Sequence, residues 1–249
     1  KEYRATLLLG VRTDTLDTEG RVLTQEEPRV TREQVVEALG ALVGRREQLP
    51  PRYSAVKFQG RPLYEWTRRG VDVEQVPRVV EVFHVRVDEV RLPEAVFTVS
   101  CSKGTYIRSL CAEAGEALGC GGCMSGLRRT RSGGFREEMA LSLDPAGMTA
   151  AERRERLLAG LVAMKDLLPE VPVITVDRSL AEKVGNGYQP EAEVLARYHI
   201  PFLAAGDVVK LVLEERHLVA VVRMLCGSED LASGGHTGQA ARILRVFND

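Results

Sequence analysis

A chain of 249 residues with 44% hydrophobic and 28% charged residues has the composition of a folded protein with one large domain, or a large one and a small one, which excludes a fibrous or disordered chain. No apolar run approaches the roughly 18 residues of a membrane span and no basic-then-apolar leader opens the chain, so a cytoplasmic protein without a membrane partner is expected. The formal charge of -1 excludes wholesale coating of nucleic acid, but residues 45–70 carry +5, residues 99–136 carry +4 and the remainder carries -10.

That segregation fits one basic face turned toward a phosphate backbone, and it equally fits an ordinary solvated face. The five cysteines are odd in number and scattered, so no disulfide framework is expected. Cys120-Gly-Gly-Cys123 is a lone pair without nearby histidines, which reads as packing thiols and not as a metal site.

In chain order, Tyr3, Ala5, Leu7 and Leu9 alternate as in a strand with one buried face. Residues 11–20, rich in Thr, Asp and Gly, read as an exposed loop. Thr31-Arg-Glu-Gln34 is a capping box, and Val35, Val36, Leu39, Leu42 and Val43 supply the stripe of a helix ending at Gly44. Pro50 and Pro51 stiffen the entry to a short strand over residues 52–57, and Pro62 opens a helix that Gly70 ends. Residues 79–90 form a long β-branched strand, in which His84 is a structural residue. It turns at residues 91–94 into a second strand, where Ala95, Phe97, Val99 and Cys101 face inward.

The period then changes. Ile107, Leu110, Cys111, Ala114 and Leu118 form one helical stripe, with Gly119 where a left-handed C-terminal residue belongs. Between strand and helix lies Lys103-Gly-Thr-Tyr-Ile-Arg108, with Thr105 as the expected N-cap and a ring and a guanidinium in the first turn. This is a site geometry, although a surface turn with a snorkelling Arg and a half-buried Tyr has the same spacing. Gly121, Gly122 and Gly126 should break the chain before a strand over residues 127–135 whose arginines face phosphates. Residues 149–168 read as a helix, followed by a Pro-rich boundary at 168–172. Three β-type runs, 208–213, 218–225 and 243–247, then have the pattern of a small barrel, separated in part by the turn 214–216.

The run Cys101-Ser-Lys-Gly-Thr-Tyr-Ile-Arg-Ser-Leu110, with Ala117-Leu-Gly-Cys-Gly-Gly122 and Leu127-Arg-Arg-Thr-Arg-Ser-Gly133, resembles the TruB-type tRNA pseudouridine synthases. The Tyr53-Ser-Ala-x-Lys57 and Leu63-Tyr-Glu65 runs are similar as well. The resemblance is specific over residues 1–136 and loose beyond.

It implies an α+β fold: a mixed, mainly antiparallel pseudouridine-synthase sheet with flanking helices over residues 1–168, and a small β-rich, PUA-like RNA-binding domain over 169–249. It implies a cofactor-free isomerase that flips a T-loop uridine out of tRNA and frees the base from C1′ so that it rejoins through C5. Arg108 would then orient the nucleophilic carboxylate, Tyr3 and Tyr106 hold the base and Leu127 close the pocket. Tyr53 and Lys57 would support the site, with Lys57, Lys103, Arg128, Arg129 and Arg131 on the RNA.

The nucleophilic aspartate of such enzymes belongs to a Gly-His-Thr-Gly-x-Leu-Asp-Pro-type segment ahead of the Tyr3 strand, which these residues do not include, so this stretch alone is expected to be inactive. Asp14 and Asp17 lie in the loop after that strand and are not expected to replace it. Gly235-His-Thr-Gly238 echoes the motif, but Gln239-Ala-Ala241 follows, and it reads as a coincidental turn. Two other readings stay open: a non-catalytic RNA-binding or RNA-folding module, and a guide-RNA-dependent relative. The Tyr53–Lys57 and Leu63–Glu65 runs favour a stand-alone enzyme with no obligate protein partner. A small-molecule enzyme is excluded for want of a phosphate loop, metal-spaced His pair or Ser-His-Asp set.

Overall fold

The computed structural model describes residues 1–142, 147–214 and 217–247, and the chain forms two compact units, Lys1–Ala140 and Leu141–Asp249. In the first, strand β1 (Glu2–Leu9) is followed by the hairpin β2 (Val11–Thr13) and β3 (Val22–Gln25), helix α1 (Arg32–Gly40) and strand β4 (Gly44–Gln48). Then come the short ribbon β5 (Lys57–Phe58) and β6 (Arg61–Pro62), and helix α2 (Leu63–Arg68). The long pair β7 (Arg78–Arg91) and β8 (Glu94–Cys101) leads into helix α3 (Ile107–Ala117), β9 (Gly122–Ser132) and β10 (Phe135–Arg136). Six strands form one sheet in the order β10-β9-β1-β8-β7-β4, antiparallel throughout.

The expected two-residue alternation places the core. Tyr3, Ala5, Leu7 and Leu9 of β1 and Ala95, Phe97, Val99 and Cys101 of β8 are buried, and the register sets Ala5 opposite Phe97 and Leu7 opposite Ala95. Residues directly opposite share a sheet face. On that face α3 buries Ile107, Leu110, Cys111 and Ala114, and α1 buries Val35 and Leu39. A fully buried aliphatic or aromatic side chain contributes about 1.5–3 kcal/mol, so this shared face is what fixes α3 against the sheet.

Thr31 makes the expected capping box with Gln34, but α1 stops at Gly40. Gly44, with φ +117°, instead opens the edge strand β4. The glycines after α3 act differently from the expected chain break. A Cβ on Gly122 would sit 2.8 Å from Leu7 Cδ1, and one on Gly115 of α3 would sit 2.2 Å from the Gly122 nitrogen. Glycine is needed here because helix and strand backbones touch, and β9 runs unbroken from Gly122.

The second unit contains α4 (Ala150–Ala159), β11 (Val173–Val176), α5 (Arg178–Gly185), α6 (Ala192–Leu195), β12 (Val208–Leu213), β13 (His217–Met224), α7 (Ser228–Ala232) and β14 (Ala241–Val246). Its sheet has the order β11-β12-β13-β14, with β11 parallel to β12 and the other pairs antiparallel. The three expected β-type runs are β12, β13 and β14. Residues 215 and 216 of the turn between the first two lie outside the described residues. α4 carries a Thr149–Glu152 capping box but ends at Gly160, short of Leu168, and a single 3-10 turn occupies Met164–Asp166. Behind the sheet, buried Lys210 donates to the carbonyls of Lys165, Leu167 and Leu168 at 2.8–3.1 Å, which satisfies its ammonium without a carboxylate.

Candidate active site

The site is built where β8 ends and α3 begins. Gly104 turns the chain with φ +86°, a conformation that a side chain disfavours. Thr105 is not the cap expected of it: its hydroxyl donates back to the Ser102 carbonyl at 3.1 Å, and the N-cap is Tyr106, which makes no side-chain capping bond. The missing partner comes from β4. The Tyr106 N–H donates to Gln48 Oε1 at 2.7 Å, and Gln48 Nε2 donates to the Tyr106 carbonyl at 3.1 Å.

Arg108, in the first turn of α3, has only 20% of its side chain exposed. Its guanidinium meets three acceptors from two distant segments: Nη1 donates to the Thr15 carbonyl and to Asp17 Oδ2, both at 2.9 Å, and Nη2 donates to the Tyr53 carbonyl at 2.7 Å. The resemblance implies that Arg108 orients a nucleophilic carboxylate from another segment; the carboxylate it meets in this structure is a different one, Asp17. Asp17 is itself only 18% exposed, with Oδ1 accepting from the Thr15 hydroxyl at 2.6 Å and from the Glu19 N–H at 3.2 Å. Each charged hydrogen bond of this kind contributes about 1.5–3 kcal/mol. A point-charge lysine could not reach the three acceptors in one plane.

The loop bearing Asp17 is tied to the sheet. Thr18 N–H donates to the Met124 carbonyl at 3.1 Å and Met124 N–H to the Leu16 carbonyl at 3.0 Å. On the other side Arg12 spans Glu26 and Glu116 with ion pairs of 3.1 and 2.6 Å. Hydrogen bonding to Arg12 holds the Glu116 carboxyl below its usual range. The same guanidinium lies over Gly121, where a Cβ would come within 2.6 Å of Arg12 Cζ.

Three more of the anticipated residues share the sheet face on which α3 lies. Leu127 is opposite Ala5 and Arg129 opposite Tyr3, and the Arg129 guanidinium stands 5.6 Å from the Tyr3 ring centroid, a cation–π distance. Tyr3 is buried, whereas Leu127 is 48% exposed, an apolar side chain open to a ligand. Tyr3 and Ile107, the neighbour of Tyr106 and Arg108, belong to one hydrophobic cluster.

Arg128 and Arg131 are opposite Arg4 and Glu2. Arg128 pairs with Glu137, and Arg131 approaches Glu2 at 3.9 Å. Lys103 is exposed in the turn before α3, and Lys57 is exposed on β5. Cys111 and Cys123 are buried free thiols. Burial pushes both of them up, so neither is a ready nucleophile. In the second unit, the His236 ring of the motif echo bonds the Gln239 carbonyl at 3.0 Å.

Sequence reasoning set Asp17 aside as a loop acid and did not single out Gln48. The first looks like one more acidic residue in a polar loop. The second sits in a segment whose prolines attract notice first.

The family profile described as TruB family pseudouridylate synthase (N terminal domain) matches residues 1–107, and the profile described as tRNA pseudouridylate synthase B C-terminal domain matches residues 108–166. Over 100% of its length the chain is 49% identical to "tRNA pseudouridine synthase B" of Syntrophus aciditrophicus (strain SB), covering 79% of that protein. It is 38% identical to the protein of the same name from Geobacter sulfurreducens, with the same coverage of both chains. Among solved structures, "Crystal Structure of a Cbf5-Nop10-Gar1 Complex" matches all of this chain and 66% of that chain, with a TM-score of 0.65 and 25% identity. With identity of this order sustained from end to end, the chain belongs to the TruB family of pseudouridylate synthases.

Proposed function

We propose that the chain forms the substrate-gripping part of a tRNA pseudouridine synthase acting on a T-loop uridine. The observation that carries this reading is the anchored Arg108, part-buried at the entrance of α3 and already paired with a carboxylate. Tyr3, Leu127 and Arg129 lie on the sheet face against which that helix packs. The reaction breaks the N1–C1′ bond, turns the freed uracil and forms the C5–C1′ bond, with the C5 hydrogen leaving as a proton and N1 taking one up. It consumes no cofactor and needs a carboxylate nucleophile, a cation to orient it and a surface for the extruded base.

Arg108 is the orienting cation, and Asp17 fixes its plane and tempers its charge. Tyr106 and Tyr3 support the base, and Leu127 covers it. Lys57, Lys103, Arg129 and Arg131 contact phosphates, while Arg128, held by Glu137, contributes less. The nucleophile comes from a Gly-His-Thr-Gly-x-Leu-Asp-Pro segment that is not among these residues. Residues 1–168 belong to the catalytic domain and supply the cation and the base support, and the β-rich part from 169 onward is a PUA-like RNA contact. The protein works in the cytoplasm on free tRNA, without a guide RNA or protein partner.

Tritium release from T-arm RNA labelled at uridine C5 tests this. The full-length protein should turn over alone and the 249 residues should not. Failure of the full-length protein would refute the reading, while turnover by the 249 residues would move the nucleophile into this chain, to Asp17.

A further inference from the structure

Gln48 is 2% exposed, a fully buried amide at the end of the edge strand β4, and it touches the backbone of Tyr106 with both ends of its side chain. Tyr106 has φ -97° and ψ 111°, extended and not helical, so its N–H is one of the donors that a helix start leaves unmatched. No side chain of the helix itself caps it. Its carbonyl accepts both the first helical bond, from Leu110 at 3.3 Å, and the Gln48 amide. Gln48 thus plays the part of a neighbouring strand's peptide at the last residue of the turn between β8 and α3.

The contacts continue along the chain. Leu49 accepts from the Ser109 hydroxyl at 3.4 Å and Tyr53 from Arg108 at 2.7 Å, while Pro50 and Pro51 between them have fixed φ. A stiff six-residue rail therefore runs beside residues 106, 108 and 109, and Gln48 is its first fastening.

We infer that Gln48 is a positioning residue for the isomerisation, holding the Tyr106 peptide in the conformation that presents both its ring and the Arg108 guanidinium to the substrate uridine. The inference rests on the function proposed above. It concerns the rate of the chemical step more than the binding of RNA, because Gln48 bonds the Tyr106 backbone and holds none of the phosphate-facing cations.

The test uses full-length protein with Gln48→Glu and Gln48→Leu, measuring single-turnover tritium release and T-arm affinity across pH. A neutral glutamic acid can accept from the Tyr106 N–H and donate to its carbonyl as glutamine does, whereas a carboxylate faces that carbonyl repulsively. The charged groups around the position are Glu47, Arg78 opposite it across β4 and β7, and Arg108 on α3. Relative to unsubstituted protein at the same pH, Q48E should be about 100-fold slower at pH 8 and within about threefold at pH 5.5, since burial keeps the carboxyl protonated there. Q48L should stay slow at both, and T-arm affinity should change less than about threefold in either variant.

A Q48E rate parallel to the unsubstituted protein at all pH values, or a loss in affinity that accounts for the whole effect, would overturn the assignment of Gln48 alone. No release by the unsubstituted protein would overturn the isomerase reading and this inference with it. A check without any variant is hydrogen exchange in the unsubstituted protein. The Tyr106 amide should be as protected as the amides of β1 and β8, and rapid exchange would overturn the inference even if neither variant folds.

Discussion

Arg108 finds acceptors in residues 91, 93 and 55 positions away along the chain, so its orientation is set by the fold and not by its own helix. Asp17 is the only charged member of that set, so its substitution removes the charge that faces the guanidinium. Asp17→Asn discards the negative charge and leaves one amide oxygen, which can serve either Arg108 Nη1 or the Thr15 and Glu19 donors but not both. The isomerisation rate of the full-length protein should fall about 10- to 100-fold, with T-arm affinity changed less than about threefold. A proportional loss of affinity, read by filter binding, would instead make Asp17 part of the RNA surface. The pair was not legible in the sequence because an aspartate within Thr-Asp-Thr-Leu-Asp-Thr looks like any solvated turn. Only the closure of the sheet brings it to a guanidinium. Arg108 itself was legible, since a strand ending at Cys101, a turn at Gly104 and a helix beginning at Ile107 put it in the first helical turn.

At the scale of elements, α3 is held by its buried stripe on one side and by ion pairs at its solvent edge, where Arg12 joins it to the β2–β3 hairpin. That junction has a pH dependence with a definite sign. The Glu116 carboxyl is held below its ordinary value of 4.5 by Arg12, so its contribution to stability is present above that value and is lost as pH falls through the lower, folded-state value. Arg12→Gln should flatten the fall of Tm between about pH 5 and pH 3 and lower Tm only slightly at neutral pH, because both partners are well exposed. Thermal unfolding across that range measures it, and an unchanged acid limb would show that the bridge is not formed in solution.

The same element shows what periodicity can and cannot reveal. The stripe from Ile107 to Ala114 predicted the helix and its buried face. The cap at Thr105 failed because Ser102 competes for the same hydroxyl, a contest between local hydrogen bonds that spacing does not record. Likewise Gly121 and Gly122 looked like chain breakers. Their role is to let α3 and Arg12 approach the backbone, which requires knowing what lies opposite.

At the scale of the molecule, the near-zero net charge conceals a basic subset, and the structure divides that subset by its partners. Lys103 is exposed in the turn before α3, whereas Arg128 is engaged by Glu137. T-arm binding should weaken steeply with salt. Lys103→Gln should reduce the slope of log affinity against log salt by about 0.7–0.9, while Arg128→Gln should change it by less than half of that. Equal changes in a salt titration would show that RNA breaks the Arg128–Glu137 pair.

The centre of the first unit's sheet was readable because β1 and β8 alternate cleanly between a wetter and a buried side. β11 was not, being too short to announce itself after Pro172. Leu16 and Thr18 are laced to Met124, and Leu127 lies three residues farther along the same strand. The acid facing Arg108 and the open leucine therefore ride on a single beam: sliding β9 by a notch would displace both together, and neither could be re-aimed while the other stayed put.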